Sequence, residues 1–164
     1  MPMARNSLTE RMRGIKLLLI IGVGNELGCD DGAGIELSRR MKREFQGSRR
    51  VRIIEAGTTP ENLTSIVRRL RPSHILLVDA AKMGLVPGST RILERSEISG
   101  FSFSTHSLPL SLLIDYLEKN SRAVITVVGI EPLNVGFGKK LSKPVVDGIA
   151  DLVRILKQII NSVS

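Results

Sequence analysis

Leu18 to Gly34 reads LLIIGVGNELGCDDGAG: a hydrophobic run ends in a glycine turn, two adjacent carboxylates follow at Asp30 and Asp31, and a helix begins. A strand that closes on Gly-x-Gly usually prepares a phosphate site, because the free N–H groups at the start of the next helix attract anions. This turn offers negative charge instead. Two acids there repel a pyrophosphate and suit a hard or borderline cation, which points to a metal site at the carboxyl edge of an α/β sheet.

The same strand and helix alternation extends outward from this stretch. Ile15 to Gly22 reads as a buried strand, Ala33 to Phe45 as a helix carrying Ile35, Leu37, Met41 and Phe45, and Val51 to Glu55 as a short strand. Thr59 is placed to cap a helix with Pro60 at its first position, and Arg71-Pro72 stops it after Leu63, Ile66, Val67 and Leu70. His74 to Asp79 is a third strand ending in a carboxylate, and Thr90 to Leu93, after the Pro87-Gly88 turn, is an edge strand. Ser107 to Leu117 forms a helix with Pro109 near its first turn, Ala123 to Val128 is another buried strand, and Pro144 opens a final helix to Ile160. The expected fold is α/β, a three-layer α/β/α sandwich around a twisted, mostly parallel five-stranded sheet with one antiparallel edge strand. Residues 1–14, polar and basic, are expected as a flexible tail, and residues 15–164 as one domain.

Composition narrows the function classes. Aromatic residues are 3% of the chain with no Trp, so platforms on which single-stranded nucleic acid could stack are nearly absent. The net charge of +8 fits docking to an acidic partner, but the basic residues are scattered over Arg5, Arg11, Arg13, Lys16, Arg39, Arg40, Lys42, Arg43, Arg49, Arg50 and Arg52, as on solvated helix faces. The single cysteine, Cys29, excludes an internal disulfide framework. Leu17 to Val23 is far shorter than a membrane span, and no small-residue cleavage site follows it. A cytoplasmic protein without membrane insertion is expected, and a monomer.

In sheets of this kind ligands sit beyond the carboxyl ends of the strands. Asp31 follows the first strand, Asp79 closes the third, and His106 lies in the loop before the helix near Pro109. Three loops can therefore place two carboxylates and an imidazole around one point, a donor set for nickel or zinc. Taken singly, a strand-terminal Asp is as often a helix cap as a ligand, and a loop His is more often structural. The other histidine, His74, begins a strand, away from that edge.

Five ordered segments carry a family resemblance: GVGNELGCDDGAG (22–34), GTTPEN (57–62), ILLVDAAKMGLVPG (75–88), STHSLPLSLLIDYL (104–117) and VVGIEPLNVGFGKKLSKPV (127–145). Together they resemble the hydrogenase maturation endopeptidases, which trim the C-terminal extension of the NiFe-hydrogenase large subunit after nickel insertion. The branch serving membrane-bound, hydrogen-evolving hydrogenases of the formate hydrogenlyase type is the most similar, on the TPEN, DAAKMGL and THSLPL segments. The resemblance covers residues 16–160. It implies a cytoplasmic endopeptidase whose Asp31, Asp79 and His106 meet nickel already seated in the precursor, so that the substrate brings the ion and no organic cofactor is needed. The partner it implies is the large-subunit precursor, with no nucleic acid. Where the family often carries Asp-Gly-Gly after the second strand, this chain has Glu55-Ala56-Gly57; Glu55 is given a supporting role, with Gly57 and Thr58 shaping the cleft.

The resemblance does not reveal the attacking group. Cys29 stands beside two acids, where like charge disfavours a thiolate, so a metal-activated water or an ion-polarised carbonyl is the simpler chemistry. Two other readings remain open. A dinucleotide-binding module would use Gly22-Val23-Gly24 with Glu55 as the ribose acid, although Gly28 falls one place late for G-x-G-x-x-G. An assembly chaperone would recognise the loaded nickel site without cutting.

Overall fold

Strand β1 (Leu18–Gly22) is buried at every residue because it has parallel partners on both sides, β2 (Val51–Glu55) and β3 (His74–Lys82). Such strands meet helices on both faces, which is why they read as continuous hydrophobic runs. The computed structural model describes residues 5–56, 60–104 and 109–163, without the side chains of Asn6, Pro60 and Glu61. Beyond β3 the sheet continues with parallel β6 (Val124–Ile130) and ends on β4 (Thr90–Leu93), antiparallel to β6, giving the order β2-β1-β3-β6-β4.

That path is the expected five-stranded sheet with its antiparallel edge. A sixth strand was not expected: β5 (Ser102–Phe103) pairs antiparallel with Ala81 and Lys82. It exists because β3 runs on through Ala80, Ala81 and Lys82, past the carboxylate where the sequence reading ends it.

Side chains alternate across the sheet into two cores. Leu18, Ile20, Leu76, Val78, Val128 and Ile130 pack under α2 (Ala33–Glu44) and α5 (Lys143–Ser162). Leu19, Ile21, Ile75, Leu77 and Val127 face the other way, under α3 (Pro60–Leu70) and α4 (Leu110–Asn120). These are the three layers.

The N-terminal segment corrects the flexible-tail expectation. Arg5–Arg11 forms helix α1, and Leu8 and Met12 are essentially fully buried in the first core. Each such burial is worth about 1.5–3 kcal/mol, which offsets part of the entropy of ordering a short helix. An Arg11–Glu94 ion pair adds a surface tether.

Helix α2 is pressed onto the strand ends by two glycines. A Cβ on Gly22 would lie 2.2 Å from the Gly34 carbonyl oxygen, and one on Gly34 would lie 2.3 Å from that of Val78. No side chain fits either place, so the loop between β1 and α2 is held directly over the ends of β1 and β3. Among the described residues no helix is long and apolar enough to cross a membrane.

Candidate active site

The order β2-β1-β3 makes a switch point: the chain leaves β1 for β2 on one side and then crosses to β3 on the other. Loops diverge there and open a crevice at the carboxyl edge. Asp31 and Asp79 both stand at it. Asp31 lies in the 3-10 turn Cys29–Gly32, which packs against β3. Asp79 follows Val78, the residue paired with Gly22 at the end of β1.

Asp79 is 1% exposed. Its Oδ1 accepts a hydrogen bond from the Ser104 hydroxyl, but Oδ2 has no hydrogen-bond partner among the described residues. Burial pushes this carboxyl well above the usual range, and the nearby Asp31 charge pushes it further; bonds from Ser104 and the Ala80 backbone oppose the shift without reversing it. A buried carboxyl with a starved oxygen beside a second carboxylate holds a proton or accepts a cation. Gly28 gives Asp31 its room, since a Cβ there would come within 2.9 Å of Asp31 Oδ2.

The adjacent pair read from the sequence is divided by the fold. A 3-10 turn rotates successive side chains by about 120°, so Asp30 points away from Asp31 into the protein, with 0% exposure. Its Oδ2 accepts from Leu133 N (2.9 Å), Asn134 N (2.8 Å) and Ser142 Oγ (2.8 Å), and its Oδ1 from Ser142 N (2.7 Å). Asp30 is a staple between two loops, not a second acid facing a cation. Nothing near it in sequence signals this role, because every donor comes from residues 133–142.

Glu55 is engaged by cations of α2. Its Oε1 lies 3.2 Å from Arg39 Nε and 3.4 Å from Lys42 Nζ, and its Oε2 3.3 Å from Arg39 Nη2. Partial burial raises this carboxyl, but the Arg39 hydrogen bonds and the Lys42 charge outweigh it and hold the group below its ordinary value. Arg39 also pairs with Glu26, on the loop that carries Asp31.

His106, Gly57 and Thr58 lie outside the described residues, as does the Thr59 cap. Among the described residues no group of three His, Cys, Asp or Glu side chains is placed to hold a metal ion; Asp31 and Asp79 are two of the three expected donors. Cys29 is buried, with φ at +53°. Its N–H donates to the Gly138 carbonyl at 2.8 Å, and a Cβ on Gly138 would sit 3.1 Å from its Sγ. It is packed as loop structure. The dinucleotide reading fails on the same geometry: the Asp31 carboxylate fills the space over Gly28, and Glu55 is already paired.

The chain is similar to known proteins over most of its length. The family model for hydrogenase maturation protease matches residues 35–159. A putative hydrogenase maturation protease of Methanocaldococcus jannaschii is 37% identical over 139 residues, 81% of this chain and 82% of that protein. The hydrogenase 3 maturation protease of Escherichia coli K12 is 37% identical over 140 residues, 85% of this chain and 88% of that one. Among solved structures, a hydrogenase 3 maturation protease superposes with a TM-score of 0.71 at 34% identity, covering 84% of this chain and 87% of its own. The maturation protease HycI of Thermococcus kodakarensis shares the fold, with a TM-score of 0.82 at 24% identity over 94% of this chain and 99% of its own.

Proposed function

Because the chain belongs to the hydrogenase maturation protease family and is therefore a peptide hydrolase, we propose that it removes the C-terminal extension of a NiFe-hydrogenase large-subunit precursor once nickel has been inserted. The observation that carries the reading is Asp79 Oδ2, a buried oxygen without a hydrogen-bond partner among the described residues, beside Asp31 at the switch point. A nickel-loaded precursor brings a cation to that oxygen, so recognition and cleavage are gated by the substrate's own metal.

In this reading Asp31 and Asp79 donate oxygens to the substrate's nickel and His106 donates a nitrogen. Ser104 fixes the Asp79 carboxyl so that Oδ2 is the oxygen presented. With nickel polarising the scissile carbonyl or its attacking water, water adds to the carbonyl carbon, the C–N bond breaks, and the departing amine takes a proton. Glu55 acts indirectly, by holding Arg39, which in turn holds Glu26 on the Asp31 loop. The protein works as a cytoplasmic monomer.

The test is to mix the chain with nickel-loaded and nickel-free precursor and to read the mass of the released tail. Tail release from loaded precursor alone is expected. Equal cleavage of both forms would remove the metal from recognition, and tight binding of loaded precursor without release would favour the chaperone reading.

A further inference from the structure

Phe137 is 93% exposed, although the chain has only four Phe. Leu133 is 60% exposed and Leu27 48%. All three stand on one pair of loops, and those loops are stapled together. The Gly138 N–H donates to the Leu27 carbonyl at 2.8 Å, Cys29 N to the Gly138 carbonyl at 2.8 Å, and Asp30 N to the Asn134 carbonyl at 2.9 Å. The buried Asp30 carboxylate takes the N–H groups of Leu133 and Asn134, and Asn134 Oδ1 closes the turn by accepting from Gly136 N at 2.9 Å.

A solvent-facing hydrophobic side chain is ordinary when alone. Three on one rigid platform, held from beneath by a fully buried charge, form a surface whose ordering cost is met before any partner arrives. Lys139 and Lys140, just after Phe137 and Gly138, are both exposed. Beside the platform is a cavity of about 510 Å³ whose lining mixes Leu27, Ile35 and Leu141 with the charged Glu26, Glu36, Arg39 and Lys139. An apolar centre, two lysines at one edge and an adjoining cavity are the parts of a protein-docking hot spot. The platform is also continuous with the candidate active site, since Asp30 holds it and Asp31 is the next residue.

We infer that Leu27, Leu133 and Phe137 form the docking surface for the precursor protein itself, receiving an apolar patch edged with carboxylates while Asp31 meets the metal alongside. This rests on the maturation-peptidase reading, and it assigns recognition of the folded precursor to a surface distinct from the metal-binding residues. Charge complementarity favours an acidic-edged partner over a second copy of this chain, whose net charge is +8.

The experiment measures KM and kcat for tail release from nickel-loaded precursor, and precursor affinity independently by calorimetry. Wild type is compared with the double variant Leu133→Ser/Phe137→Ser and with Val124→Thr, a half-exposed position at the opposite end of the sheet. The double variant is expected to raise KM and Kd at least about tenfold, as for loss of a hot-spot aromatic, with kcat within about twofold and Val124→Thr unchanged. Lys139→Glu/Lys140→Glu is expected to slow association and flatten its salt dependence. Tail release with KM unaltered by the double variant would overturn the docking surface and leave the peptidase reading standing. Binding that depends on Phe137 without tail release would do the reverse. Failure to bind or cut overturns both, whereas a dimer of the isolated chain that Phe137→Ser disperses while leaving KM unchanged would overturn the docking surface alone.

Discussion

Asp30 and Asp79 are two carboxylates buried to nearly the same degree near one edge of the sheet, and they have opposite surroundings. Asp30 accepts four hydrogen bonds and uses both oxygens. Asp79 has a single side-chain donor and one oxygen with no partner among the described residues. Burial alone therefore does not distinguish a structural acid from a functional one; the tally of donors does. The satisfied acid holds backbone in place, and the starved one keeps capacity for something that the described residues do not supply.

The largest effect that would break this contrast is catalytic. Asp79→Asn and Asp31→Asn are each expected to lower kcat by at least about 10²–10³-fold, the usual loss for one positioned electrostatic group, read as tail release by mass spectrometry. If both retain full activity, the site assignment falls. Next in size is the stability of Asp30→Ala, which leaves three part-buried N–H groups and a hydroxyl without their acceptor. A loss of about 3–5 kcal/mol is expected, and at about 2–4 °C per kcal/mol for a chain of this size the melting midpoint should fall by roughly 10 °C.

Asp79→Asn should shift stability the other way, and its pH dependence sharpens the comparison. Because the folded-state pKa of Asp79 is raised, the native state keeps its proton where the unfolded chain, titrating near about 3.9, has lost it. Wild-type stability therefore falls as pH rises from about 4 toward the folded-state value, while an amide has no such dependence. The variant is expected to melt above wild type at neutral pH, with the gap closing toward pH 4. A gap that does not change with pH would mean that Asp79 is ionised in the fold. The smallest effect is Cys29→Ala, expected to leave tail release within about twofold because the thiol is packed and not poised for attack; abolished cleavage with intact precursor binding would make it the nucleophile.

Legibility followed distance along the chain. The runs at Leu18–Gly22 and His74–Asp79 announce strands covered on both faces, and the glycine turn after the first announces the following helix, so the sheet and the positions of Asp31 and Asp79 could be read locally. The role of Asp30 could not, because its donors lie about a hundred residues away. Glu55 was read as a strand-end acid, but its engagement depends on Arg39 and Lys42 turning toward it from α2. Helix α1 was missed because only Leu8 and Met12 mark its inner side among basic and polar neighbours. Strand β5 was missed because two residues leave no periodicity to read.

The Asp30 staple also sets when the enzyme can begin to work. Domains emerge from the ribosome N-terminus first, so Asp31 and Asp79 are made long before residues 133–142 exist to anchor the turn that carries Asp31. A nascent chain halted ahead of that segment would carry Asp31 on a loop without its anchor, and proteolytic competence would arrive only as synthesis nears its end.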